Sequence, residues 1–347
     1  MVRVEEERMK YLVTGGAGFI GCNAVQRWLA AGHTVVVLDD LSRRGADANL
    51  AWLQAQRGEL LFERIDIRDA ALLDAAVGRH KDAEVVLHLA AQVAVTTSVS
   101  DPRHDFEVNA FGTFNLLESV RRHMPSAVFL YASTNKVYGG LEEEGVEELA
   151  GRYAFRRTGG VPETQPLDFH SPYGCSKGAA DQYVRDYARI YGLRTVCFRQ
   201  SCIYGYRQFG VEDQGWVAWF TIAAVTGQPV TIYGNGKQVR DLLFVDDLCD
   251  AYDEAVSRAD TLKGAVLNLG GGPEHTLSLL ELLAMLEQLT GRPLRPRFAD
   301  WRPGDQPVFV ADISRAATAL GWRPTVDVHS GVARLYRWVE ENRALFG

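Results

Sequence analysis

Paired metal ligands are missing from this sequence. Its five cysteines, at 22, 175, 197, 202 and 249, form no C-x-x-C and share no histidine spacing that would build a zinc site, so no metal is expected. An odd, scattered set also makes a poor disulfide framework, and reduced thiols in the cytoplasm are the simplest account. No apolar run reaches bilayer-spanning length and no signal peptide precedes the first strand, which predicts no membrane partner. Positive charge is in deficit, with 37 Lys and Arg against 44 Asp and Glu and a net charge of -7. That balance opposes broad binding to nucleic acid, and any anionic ligand has to be met by a local pocket. Internal repeats and low-complexity stretches are absent as well. What remains is a 347-residue chain with 47% hydrophobic residues, enough for a full core in one large domain or two fused ones.

The clearest signal present lies near the start. An apolar strand over 11–14 runs into Gly15-Gly16-Ala17-Gly18-Phe19-Ile20-Gly21, and a helical pattern follows through Val25, Trp28 and Leu29. Glycines at 15, 18 and 21 allow a tight turn, close approach of a pyrophosphate and close helix packing, with the phosphate on the helix N-terminus. A second strand, 34–38, ends at Asp39, 18 residues after Gly21. A carboxylate there suits the ribose hydroxyls and repels a 2′-phosphate, which favours NAD over NADP although Arg43 and Arg44 follow. Met9-Lys10 leads straight into the first strand, so Met9 is a candidate start and residues 1–8 are expected to be mobile.

Strand and helix then alternate. Apolar runs at 61–65, 85–89, 127–132, 195–199 and 265–269 read as strands, separated by helical stretches near 69–78, 106–123, 174–191 and 246–257. This predicts an α/β fold, a doubly wound parallel sheet of Rossmann type, with ligand outside the carboxyl ends of the strands. Those ends carry Asp66-Ile67, Leu89-Ala90-Ala91, Ser133-Thr134 and the stretch 200–204. Residues 140–172 read as an irregular excursion, either functional or merely solvated. Beyond about 200, Gly-rich turns and short elements suggest a smaller, discontinuous α/β lobe for substrate. Ser278 and Glu281 make a capping-box pattern ahead of a helix over 279–289, and a terminal helix passes through Val332, Leu335, Trp338 and Val339. The expected division is 9–200 with about 241–272 for the dinucleotide, and about 201–240 with 273–347 for the substrate.

The stretch Ser171-Pro172-Tyr173-Gly174-Cys175-Ser176-Lys177 carries the chemistry. Pro172 starts a helix expected to reach Gly192, and Tyr173 and Lys177, four apart, share one of its faces. An ammonium beside a phenol favours the phenolate and makes a base near neutral pH. The bland alternative is a half-buried Tyr and a solvated Lys on an amphipathic helix. His170 reads as a local hydrogen-bonding residue, His88 as structural and Cys175 as packing.

With these motifs in this order, the chain resembles the extended short-chain dehydrogenase/reductases that modify nucleotide sugars, over almost its whole length from Met9. The runs 133–139, 167–183 and 234–241 are similar to the subgroup that epimerises CDP-activated sugars at C2. The resemblance implies catalysis by Thr134, Tyr173 and Lys177. It implies a tightly bound, recycled NAD on Gly15, Gly18, Phe19, Ile20, Gly21, Asp39, Asp66, Ile67, Leu89, Ala90, Ala91, Asn109 and Lys177. It also implies a CDP-sugar partner met by Thr97, Arg240 and Arg302, a homodimer or homotetramer, and a role in cell-surface polysaccharide biosynthesis. By residue type alone, the arginines suit phosphate but equally suit surface ion pairs. Sugar 4,6-dehydratases of this fold carry an Asp-Glu pair directly after the catalytic Thr. Here Asn135 and Lys136 stand there, which argues against dehydration. A nucleotide-sugar 4-epimerase is the main alternative.

Overall fold

A computed structural model describes residues 8–156, 159–302 and 305–346. The expectation of mobility for 1–8 therefore falls almost wholly outside the described residues; Arg8 itself is ion-paired with Glu59.

Seven parallel strands form the central sheet in the order Ala265–Leu269, Arg194–Gln200, Val128–Thr134, Val85–His88, Lys10–Thr14, Thr34–Asp39 and Glu59–Arg64. The chain starts in the interior of the sheet and builds first to one side, then to the other. The order thus reverses between Lys10–Thr14 and Val85–His88, and two loops part there to leave a crevice. Helices on both faces bury the near-continuous Val, Leu and Ile runs, and Leu12, Val36, Val86 and Leu130 are fully buried. The edge strand Glu59–Arg64 alternates instead, because only one of its sides is covered.

Among the described residues, four small sheets stand outside this one. They pair Ile203–Tyr204 with Leu243–Phe244, Thr231–Tyr233 with Arg297–Ala299, Val239–Asp241 with Thr276–Ser278 and Val308–Phe309, and Val146–Glu148 with Tyr153–Phe155. The excursion 140–172 is thus more regular than its sequence suggested. Its hairpin packs Val146, Tyr153 and Phe155 on Val239, Val308 and Val310, which gives its few apolar residues a place to go. A continuous apolar core runs from Val13 and Val37 under the sheet to Phe220, Leu282 and Leu335 of the C-terminal helices.

The helix expected over 106–123 starts earlier, at Pro102, with Asp101 capping it by accepting from the His104 N–H at 3.0 Å. A π turn at Glu107–Phe111 interrupts it before Gly112–His123. Such a turn inserts a residue and re-aims its neighbours, and here Asn109 is turned inward. The helices Ala46–Gln54, Val95–Ser100, Trp216–Thr226 and Ser314–Leu320 had no counterpart in the sequence reading. No described helix is long and apolar enough to cross a membrane.

Candidate active site

The crevice at the reversal point is a cavity of about 590 Å³. One wall is the glycine turn. A Cβ on Gly21 would lie 2.3 Å from the Gly15 carbonyl oxygen, and one on Gly15 would lie 2.6 Å from the Ala90 nitrogen, so neither position admits a side chain. The helix Phe19–Ala30 begins at Gly18 without a side-chain cap, which leaves the N–H groups of its first turn for a ligand in the cavity. Asp39 is buried at the end of its strand. One of its oxygens accepts from the Ala17 N–H at 2.9 Å and the other from the Leu41 N–H at 2.8 Å, which fixes the carboxylate against the turn. Burial pushes its pKa up, while these two bonds oppose the shift. Asp66 also faces the cavity, held by Arg68 at 2.6 Å.

The catalytic helix, Pro172–Tyr191, has the start its sequence dictates. Ser171 Oγ accepts from the Gly174 N–H at 3.0 Å, Pro172 takes the first turn, and Gly192 ends the helix at φ +76°. It brings Tyr173 and Lys177 to the cavity beside Thr134, whose hydroxyl favours ionisation of the Tyr173 phenol. The expected coupling of the pair is not what this arrangement shows. Lys177 Nζ donates to the Ala132 carbonyl at 2.5 Å and sits 4.5 Å above the Tyr131 ring, so it is not aimed at the phenol. Burial, with a smaller contribution from Asp105, pushes Tyr173 up to about 12, and burial pulls Lys177 down to about 8.

Of the expected site residues, Gly15, Gly18, Phe19, Ile20, Gly21, Asp39, Asp66, Ile67, Leu89, Ala90, Ala91, Thr97, Thr134, Tyr173 and Lys177 all line this one cavity. Three do not. Asn109 is buried beneath it, bonded to Gln92 and Ser176. Arg240 is tied to Asp305 at 2.6 Å, and Arg302 to Asp213 at 2.6 Å with its guanidinium 3.9 Å over the Tyr233 ring. Lys136 bonds to Gln306 at 3.3 Å, and burial together with the nearby Arg240 lowers it to about 8. His88 is structural, bonded to Thr14 at 2.6 Å and Thr113 at 2.9 Å. His170 bonds locally to Asp168 at 2.7 Å. Cys175 is exposed rather than packed, and all five cysteines are free.

Sequence reasoning missed the opposite wall, formed by Arg207, Gln208, Phe209 and the segment 214–217. The strap is anchored across the crevice: Asn23 Nδ2 donates to the Tyr206 carbonyl at 3.0 Å, and Arg43 to Gln214 at 2.9 Å. No periodicity marks such a segment; its tight path shows in the structure as positive φ at Arg207, +62°, and Gly215, +78°.

A glycine turn at a helix N-terminus, an acid at the next strand end and a Thr-Tyr-Lys set facing one crevice define a dinucleotide-dependent enzyme of the short-chain dehydrogenase/reductase class. The chain belongs to the GDP-mannose 4,6 dehydratase family, whose model matches residues 12–335, within the extended branch of that class. It is 46% identical over 336 residues to CDP-paratose 2-epimerase of Salmonella typhi, a match covering 95% of this chain and 99% of that one. Among solved structures, it is similar to UDP-glucose 4-epimerase of Thermus thermophilus in complex with NAD, with TM-score 0.79 and 34% identity, covering 95% of this chain and 98% of that one. It is also similar to UDP-glucuronic acid 4-epimerase of Bacillus cereus in complex with UDP-glucuronic acid and NAD, with TM-score 0.82 and 29% identity over 96% of this chain and 99% of that one.

Proposed function

We propose that the protein is an NAD-dependent epimerase that inverts C2 of a CDP-activated hexose, the CDP-paratose/CDP-tyvelose pair or CDP-glucose/CDP-mannose. The observation that carries this is the convergence of Thr134, Tyr173 and Lys177 on one crevice, with Asn135 and Lys136 following Thr134 where a dehydratase needs its acid and base. The 46% identity to a CDP-paratose 2-epimerase supports the carbon and the nucleotide.

The cofactor is NAD. The uncapped helix start and the side-chain-free glycine turn fit its pyrophosphate, and Asp39, already fixed by two backbone donors, offers its remaining lone pairs to a ribose. When bound, it would supply the hydride acceptor and donor that inversion of a sugar carbon needs. Tyr173, as phenolate, removes the proton of the reacting hydroxyl, and Thr134 hydrogen-bonds the oxygen through the change from alcohol to ketone. Lys177, a short reach below Tyr173 on the same face, holds the ribose hydroxyls. The keto-sugar turns within the closed crevice before Tyr173 gives the proton back. In this reading Arg240 and Arg302 exchange Asp305 and Asp213 for the substrate diphosphate, and Thr97 meets the sugar.

The small sheets after 200 form the substrate lobe in this reading, and the strap 206–217 closes the crevice. Two copies pair through the helices Pro102–His123 and Pro172–Tyr191, which leave Phe106, Phe111, Tyr183, Ile190 and Tyr191 exposed on their outer faces. A cytoplasmic setting agrees with five free cysteines, and the product suits polysaccharide biosynthesis at the cell surface.

The deciding experiment is incubation with CDP-glucose and no added cofactor, then hydrolysis and identification of the hexose. Mannose supports C2 chemistry with retained NAD, and galactose moves the assignment to a 4-epimerase, the reaction of the Thermus relative. If neither forms, CDP-paratose must give CDP-tyvelose or the C2 reading fails.

A further inference from the structure

The residue after Asn135 is a cation with too little to hold it. Thr134 and Asn135 line the crevice, and Lys136 donates its backbone N–H to Thr134 Oγ1 at 3.2 Å, which ties it to the reacting end of the site. Its side chain reaches across to the lobe, where Nζ donates to Gln306 Oε1 at 3.3 Å. That is a long bond to a neutral amide, from a group with three protons to donate. Among the described residues no carboxylate is ion-paired with Lys136, in a chain that holds 44 Asp and Glu.

The carboxylate nearest in sequence to Gln306 is already taken. Asp305 Oδ1 accepts from Arg240 at 2.6 Å and from the Gln306 N–H at 3.0 Å. Gln306 is fixed in turn by donating its side-chain amide to the Gly139 carbonyl. Arg240 is buried and Lys136 half-buried, so two cations share one carboxylate beside the crevice. Burial and the Arg240 charge pull the Lys136 pKa down to about 8, the direction of an ammonium short of counter-charge. A partly desolvated excess of positive charge is costly until an anion completes it.

We propose that Lys136 is a substrate-binding residue: with Arg240 it holds the diphosphate of the sugar nucleotide, and it thereby brings C2 of the sugar to Thr134 and Tyr173. The inference rests on the reading of the substrate as a nucleoside diphosphate sugar. C2 is bonded to the carbon that bears the diphosphate, whereas C4 lies across the ring from it. An enzyme that works at C2 must therefore hold the phosphate closer to its reacting groups than one that works at C4. Lys136 is placed for this, because the short turn that carries it, Asn135–Tyr138, is capped by Thr134 itself. A tie between the lobes would need no charge, since an amide would meet Gln306 as well.

The test is equilibrium binding of CDP and of cytidine, by calorimetry and ligand-detected NMR, to the holoenzyme and its Lys136→Met variant, with UDP and uridine alongside. Lys136→Met keeps the stem and removes the charge. It should weaken the diphosphate by roughly 10- to 100-fold and leave the nucleoside unchanged. Equal loss for both is the mark of a structural role and overturns the proposal, as does no loss at all. So does a holoenzyme that binds neither diphosphate better than its nucleoside. If Lys136→Met does not fold, Lys136→Gln, whose amide still meets Gln306, is read the same way. The carbon is tested by kcat for mannose from saturating CDP-glucose, or for CDP-tyvelose from CDP-paratose, which should fall about tenfold or more in the variant. An unchanged kcat overturns the part of Lys136 in selecting C2. If the holoenzyme inverts neither substrate, the C2 reading itself fails, while the titrations still answer for the diphosphate.

Discussion

Tyr173 sits where burial resists its ionisation and a threonine hydroxyl favours it, with Lys177 engaged by the Ala132 carbonyl. Its removal should separate binding from chemistry. Tyr173→Phe is expected to retain NAD, seen by absorbance after denaturation, while kcat falls by roughly 10²-fold or more. Unchanged turnover would remove the proposed base. His88 makes a different prediction. Burial lowers it from 6.5 to about 3, so the folded imidazole refuses a proton that the unfolded chain accepts. Below about 6.5 the unfolded state binds more protons. Stability should then fall with pH by up to about 1.4 kcal/mol per unit from this residue alone. Urea midpoints at pH 7.5 and 5 will read it, and His88→Gln should flatten the difference.

At the scale of the element, legibility followed local chemistry. The helix Pro172–Tyr191 carries its start, its stop and its spaced pair in consecutive residues, so the sequence reading and the structure coincide at both ends. The helix Leu279–Thr290 is similar: Ser278 Oγ accepts from the Glu281 N–H at 3.2 Å, and Glu281 accepts from the Ser278 N–H at 2.8 Å. Ser278→Ala should cost about 1 kcal/mol in chemical denaturation, with Gly151 losing its tie to the same hydroxyl. Trp216–Thr226 was illegible for the opposite reason. It is buried nearly all round, so no polar face marks a helical period. The hairpin 146–155 is short and acidic, and takes its form from the apolar residues it packs on.

For the whole molecule, the prediction concerns association. The rings of Phe114, Tyr183, Tyr187 and Tyr191 run edge to face between two helices, with Tyr183 and Tyr191 exposed, Tyr187 buried beneath them and Ile190 two-thirds exposed. If two copies meet there, Ile190→Glu should shift the light-scattering mass from dimer to monomer without changing the fold. An unchanged mass would place the contact elsewhere.

By itself the sequence determined the parallel sheet, the glycine turn with its acid, and the Tyr173/Lys177 pair, because each is encoded in spacing that one strand or helix turns directly into geometry; Thr134 entered only through the family resemblance. Only the tertiary structure decided the rest. It turned Lys177 toward Ala132 instead of the phenol, tied Arg240 and Arg302 to carboxylates distant in sequence, drew the strap 206–217 across the crevice, and set Asp105 against Ser176. Those partners lie tens of residues apart or more, and a charge or hydrogen bond at that separation leaves no period in the chain. It exists only once the sheet has brought the two segments together.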